Sequence, residues 1–173
     1  MKRTTIVVIV MSLLVAILPV GLALAQTSQE VEVTATPSFI SITNAPISYD
    51  FGSISANSTD NTTDGYFTIT NGSSVNMDIS IQCNGWSGGT GWTYGSPAAD
   101  TGQLKASSAN GGSGGSTGAG NFDKTLLDGT DILLCDNVTS VTSPTWELLL
   151  EAPTSFTFGD EQTTTVTITA TAD

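Results

Sequence analysis

The segment from Gly65 to Cys83, GYFTITNGSSVNMDISIQC, holds the strictest apolar–polar alternation in the chain. Phe67 and Ile69 alternate with Thr68 and Thr70; beyond Asn71-Gly72-Ser73-Ser74, the residues Val75, Met77, Ile79, Ile81 and Cys83 alternate with Asn76, Asp78, Ser80 and Gln82. Side chains two apart on a strand share a face, so each half of this segment reads as a strand with one apolar and one wet side. Asn and Gly tolerate the positive φ of tight reversals, which makes Asn71-Gly72 the corner of a predicted β-hairpin. The apolar face of such a hairpin has to be covered, and a second antiparallel sheet covers it.

The remaining sequence supplies more strands of the same kind. Val31, Val33 and Ala35 alternate with Glu30, Glu32 and Thr34 until Pro37 interrupts them. Short strands are predicted at 39–43, 47–52, 92–94, 104–106, 132–134, 146–150 and 156–158, and Val166 to Ala170 alternates strictly. Residues 53–64 read as a polar surface loop, and 107–120 as a Gly/Ser-rich loop with nothing to bury. About nine short strands with frequent turn signals, and no helical period after the N-terminal region, predict an all-β antiparallel sandwich.

Residues 1–25 read as a signal peptide: Lys2 and Arg3, an apolar stretch from Ile6 to Leu18, and Ala23-Leu24-Ala25 before Gln26. The apolar stretch is shorter than the roughly 20 residues of a membrane-spanning helix, and no second one follows, so no span is expected after cleavage. The expected mature chain, 26–173, has one domain's length. Loss of Lys2 and Arg3 takes the net charge from −12 to −14. A surface so acidic repels nucleic acid, which is bound by clustered Lys and Arg. The expected location is extracellular or at the cell surface.

Cys83 and Cys135 are the only cysteines. In an exported protein a disulfide between them is the expectation, contributing about 4 kcal/mol by loop closure. Free thiols or a redox couple are the alternative, although no CxxC spacing supports a couple.

Histidine is absent, which removes the usual general base and the commonest transition-metal ligand, and the chain is expected not to be an enzyme. Calcium takes hard oxygen ligands, and Asp60-Asn61-Thr62-Thr63-Asp64-Gly65 matches the first half of a calcium loop. Asp60 and Asp64 are therefore candidate ligands, though position twelve is Asn71 where such loops carry Glu. Trp86, Trp92 and Tyr94 are a candidate platform for a sugar, or else core residues. Asn57, Asn61, Asn71 and Asn137 each begin a glycosylation sequon.

Asp50-Phe51-Gly52-Ser53-Ile54, followed by Tyr66-Phe67-Thr68-Ile69-Thr70-Asn71-Gly72-Ser73 and the strand to Ile81, resembles the phrase of Hydin-type and choice-of-anchor domains of bacterial surface proteins. That resemblance, over about residues 47–83, implies an Ig-like sandwich used as a structural or adhesive module, with no catalytic residues to transfer. Two functions are expected from different classes. One is an extracellular structural protein whose terminal strand, with Val31 and Val33 on its apolar face, pairs with a neighbouring copy to build a fibre. The other is an adhesive module that binds polysaccharide or other surface proteins.

Overall fold

A computed structural model describes residues 32, 34–89, 91–109 and 120–173. The chain divides into two units, Met1–Thr36 and Pro37–Asp173. In the first unit Glu32 and residues 34–36 are exposed and without regular structure, while the signal-peptide segment, Val31 and Val33 lie outside the described residues. Residues 110–119 of the Gly/Ser tract also lie outside them.

The second unit is all-β. Its ten strands are β1 (Ile42–Ala45), β2 (Thr59–Asn61), β3 (Phe67–Asn71), β4 (Met77–Cys83), β5 (Thr93–Tyr94), β6 (Thr101–Ala109), β7 (Lys124–Thr125), β8 (Ile132–Val138), β9 (Thr145–Glu151) and β10 (Val166–Ala172). The larger sheet runs β1-β3-β9-β6-β5, with β2 also on β9 and β7 also on β6; the smaller runs β10-β4-β8. All pairings are antiparallel except β5 with β6. The two sheets form a sandwich, with one strand more than the nine expected.

Period-two patterning places the core. Met77, Ile79, Ile81 and Cys83 on β4 have no exposed surface, and they meet Ile69, Leu104, Ala106, Trp146, Leu148 and Leu150 of the larger sheet. Each such aliphatic side chain stabilises the fold by about 1.5–3 kcal/mol relative to leaving it in water.

The predicted hairpin at Gly65–Cys83 is replaced by an arch. β3 pairs with β1 and β9 in one sheet, whereas β4 pairs with β8 and β10 in the other. Both strands therefore point their apolar faces into the same core from opposite layers. The link between them is held from both sides. Asn71 is buried, its Nδ2 donates to the Thr139 carbonyl at 2.9 Å, and its Oδ1 accepts from the Ser73 amide at 2.8 Å. The Gly72 amide donates to the Ser41 carbonyl, and the Ser41 amide to Ser73 Oγ at 2.8 Å. Asn and Gly serve this crossing as well as they serve a hairpin corner.

Other boundaries move for identifiable reasons. The expected strand at 47–52 is absent, and Ile47 is 92% exposed. Residues 156–158 likewise form no strand. The loop expected at 53–64 contains β2, which lies on the same side of β9 as β3. Where β2 leaves the ladder, buried Thr62 replaces a backbone partner: its Oγ1 accepts from the Leu148 amide at 3.0 Å.

The expected Cys83–Cys135 disulfide does not form; both thiols are free and buried. Cys135 stands opposite Ile79, whereas Cys83 pairs with Val166 on the other flank of β4. Four residues along a strand amount to roughly 13 Å at about 3.3 Å per residue, well beyond the Cα separation of about 7 Å that a disulfide tolerates.

Candidate functional site

The two sheets are unequal in width, and the smaller one ends at β10. On one side β10 is laddered to β4 from Val166↔Cys83 to Ala172↔Met77; among the described residues no strand pairs with its other side. The imbalance leaves part of the larger sheet's inner face without a covering strand.

A cavity of about 920 Å³ lies there. Phe67, Trp146, Leu148 and Leu150 of the larger sheet and Val166 and Ile168 of β10 line its apolar part. Segments 47–54 and 158–165 form its walls. This accounts for the apolar residues of the strand expected at 47–52: Tyr49 and Phe51, with Ile54 just beyond them, are half-buried against the core without joining a ladder.

Aromatic rings brace both ends. Tyr49 meets Phe51 and Tyr66 edge-on, each at 4.8 Å, and Tyr66 meets Phe67 at 4.9 Å. Phe67 stacks on Trp146 at 4.3 Å, and the Trp146 indole donates to Asn44 Oδ1 at 2.8 Å. Edge-to-face and offset pairs of this kind add about 0.5–1.5 kcal/mol each beyond the area they bury.

At the other end stand the three sequence candidates. Trp86 meets Trp92 edge-on at 5.3 Å, and Trp92 lies parallel to Phe156 at 5.4 Å. Trp86 donates to the Gly102 carbonyl at 3.0 Å, and the Tyr94 hydroxyl accepts from the Leu104 amide at 2.8 Å while donating to the Leu104 carbonyl at 3.1 Å. The structure thus brings Trp86, Trp92 and Tyr94 together, half-buried, but with Trp86 and Trp92 nearly perpendicular and not as one flat surface. Trp92 and Trp86 line the cavity, and Trp92 Nε1 is buried with no hydrogen-bond partner among the described residues. Gly91, at φ 122°, sits where any Cβ would fall 2.6 Å from the Phe158 ring, so only glycine lets this segment pass beneath 158–163.

Asp60 lies on β2 with its Oδ1 accepting from the Asn61 amide at 2.9 Å, and Asp64 lies in the following turn. Both are exposed, and no group of three His, Cys, Asp or Glu suited to a metal occurs among the described residues. The proposed assembly residues Val31 and Val33 lie outside the described residues. Burial pushes the thiols of Cys83 and Cys135 up from their ordinary pKa, and it does the same to the Tyr94 hydroxyl.

Sequence reasoning did not find the cavity, because a missing strand leaves no residues of its own to read. The usable signal was indirect: Tyr49, Phe51, Phe156 and Phe158 are bulky apolar residues in short segments bounded by Pro and Gly. No protein family matches the chain's sequence, and no curated protein is significantly similar to it.

Proposed function

We propose that this chain is a secreted, surface-exposed structural subunit that polymerises by lending its N-terminal alternating segment to a neighbour. The observation that carries this reading is the edge of β10 that no described strand pairs, beside a cavity of about 920 Å³ whose inner wall is formed by apolar residues of both sheets. An open strand edge exposes a row of backbone donors and acceptors, and an incoming strand satisfies them while its side chains fill the void. Residues 26–36 contain the required alternation, from Glu30 to Ala35, and precede Pro37. Head-to-tail exchange does not close on itself, so its product is a filament. The resemblance of residues 47–83 to Hydin-type surface domains is in keeping with a structural, Ig-like and non-enzymatic role.

Negative-stain electron microscopy of the chain beginning at Gln26 tests it. Filaments are expected from the wild type and none from Val31→Asp/Val33→Asp, with both proteins giving the same β-type circular dichroism. Monomers of the wild type at every concentration would refute it.

A second reading rests on Trp92, whose buried indole N–H at the cavity has no partner among the described residues. A polysaccharide hydroxyl would accept from it. Glycan binding that disappears in Trp92→Phe, which keeps the ring and loses the donor, would favour this adhesive role.

A further inference from the structure

Resting on the strand-exchange reading, we infer that the N-terminal segment of a second copy adds to β10 in parallel and in register, Val31 beside Val166 and Thr36 beside Thr171. The juxtaposition is between the open edge of β10 and a segment that repeats its sequence. Val31-Glu32-Val33-Thr34-Ala35-Thr36 and Val166-Thr167-Ile168-Thr169-Ala170-Thr171 are identical at four of six positions, and a fifth exchanges Val for Ile. On β10, Val166, Ile168 and Ala170 pack toward the core.

Two features select the direction. The cavity adjoins Val166 and Ile168 but not Ala170, so the space to be filled lies at the start of β10 and tapers toward its end. A parallel neighbour places Val31 and Val33 at the wide end and Ala35 at the narrow one. An antiparallel neighbour centred on Val33 would put Ala35 beside Val166, leaving space unfilled, and force Val31 in beside Ala170. Voids and overpacking both destabilise. Pro37 supplies the second feature. In the parallel register it falls beside Ala172, where β10 ends, so its missing N–H interrupts no ladder. In the antiparallel register it would fall before Val166, next to the cavity wall.

The other edge of the smaller sheet is a poorer acceptor. β8 has a register irregularity against β4 and carries Asp136 within the strand and Asp131 just before it, features that discourage edge pairing.

Paired cysteines on the outward-facing positions read the orientation directly. Thr34 and Thr169 are neighbours in the parallel register, whereas Thr34 and Thr167 are neighbours in the antiparallel one. In filaments of the chain beginning at Gln26, mild oxidation of Thr34→Cys/Thr169→Cys is expected to give a ladder of covalent multimers on a non-reducing gel. Thr34→Cys/Thr167→Cys should give a several-fold lower yield, and the wild type, whose own thiols are buried, none. The reverse preference, or oxidation that yields only an internally linked monomer, overturns the inference. Wild-type filaments without a ladder from either pair overturn it while sparing the assembly reading; absence of wild-type filaments refutes the assembly reading itself.

Discussion

Cys135 stands opposite Ile79 across the β4–β8 ladder, four residues along β4 from Cys83. The two thiols share one core yet are held apart by the register of the sheet, and burial raises the pKa of each above its ordinary value. Alkylation of the native protein is therefore expected to be negligible at neutral pH, and unfolding should release two reactive thiols. Because the folded pKa values are raised, their contribution to stability is complete below the ordinary thiol pKa of about 8.5. It is lost as pH rises through the folded values. Denaturation midpoints measured across alkaline pH check the sign, and peptide mapping that recovered a Cys83–Cys135 bridge would contradict the register.

Asn71 predicts a local failure. Its amide donates to the Val138 and Thr139 carbonyls and accepts from Ser73, all at the crossing between sheets. Asn71→Ala should cost about 1–3 kcal/mol, the range for leaving buried polar groups unpaired, read as a lowered urea midpoint. Asn71→Asp keeps the acceptor and loses the donor, and should be no better. The same burial makes Asn71 the one sequon asparagine that a glycan cannot occupy in the folded protein, whereas Asn57, Asn61 and Asn137 are exposed. Mass spectrometry of material from a glycosylating host should find Asn71 unmodified.

Glu147 is 1% exposed, on the outer face of β9. Its carboxylate accepts from the amides of Gly65 at 2.8 Å and Gly120 at 3.0 Å and from Ser107 Oγ at 3.2 Å. It thus fastens the turn before β3 and the residue that ends the Gly/Ser tract to one strand. Glu147→Leu strands both amides and should cost about 2–3 kcal/mol. Glu147→Gln retains one acceptor and should cost less, an order that chemical denaturation of the two variants checks.

Glu151 makes stability sensitive to acid. Burial pushes its carboxyl up, but hydrogen bonds from Lys105 at 2.6 Å and from Gln103, together with the Lys105 charge, outweigh this and hold it below the usual range. A depressed folded pKa contributes stability above the unfolded value of about 4.3 that is lost as pH falls through the folded one. Lys105→Met should lower the neutral-pH midpoint by an amount equivalent to about 1 kcal/mol or less, the pair being partly exposed. It should also flatten the acid limb of the stability profile, which thermal denaturation between pH 3 and 7 would record.

Strand faces were legible where alternation was strict. Met77 to Cys83 and Val166 to Ala170 point inward as their period of two requires. Which sheet each strand joins was not legible, because an amphipathic strand specifies a face and names no neighbour; hence an arch was read as a hairpin. β2 was missed because all three of its residues are exposed, leaving no apolar signal. Segments 47–52 and 156–158 were overread for the opposite reason, since their aromatic residues wall a cavity while their backbones join no ladder among the described residues. The disulfide was inferred from compartment alone, and register overruled it.

The arch also sets a timetable. β4, whose inward-facing residues have no exposed surface, is laddered among the described strands to β8 and β10, segments that begin at Ile132 and Val166. A chain synthesised from its N-terminus therefore carries Met77, Ile79 and Ile81 without a strand partner until β8 exists, and with one flank of β4 open until β10 follows. Pairings of such long sequence separation form slowly, because the loop-closure cost comes before any contact repays it. The fold cannot be completed in instalments, and whatever handles the nascent chain has to keep that one apolar strand from finding another copy first.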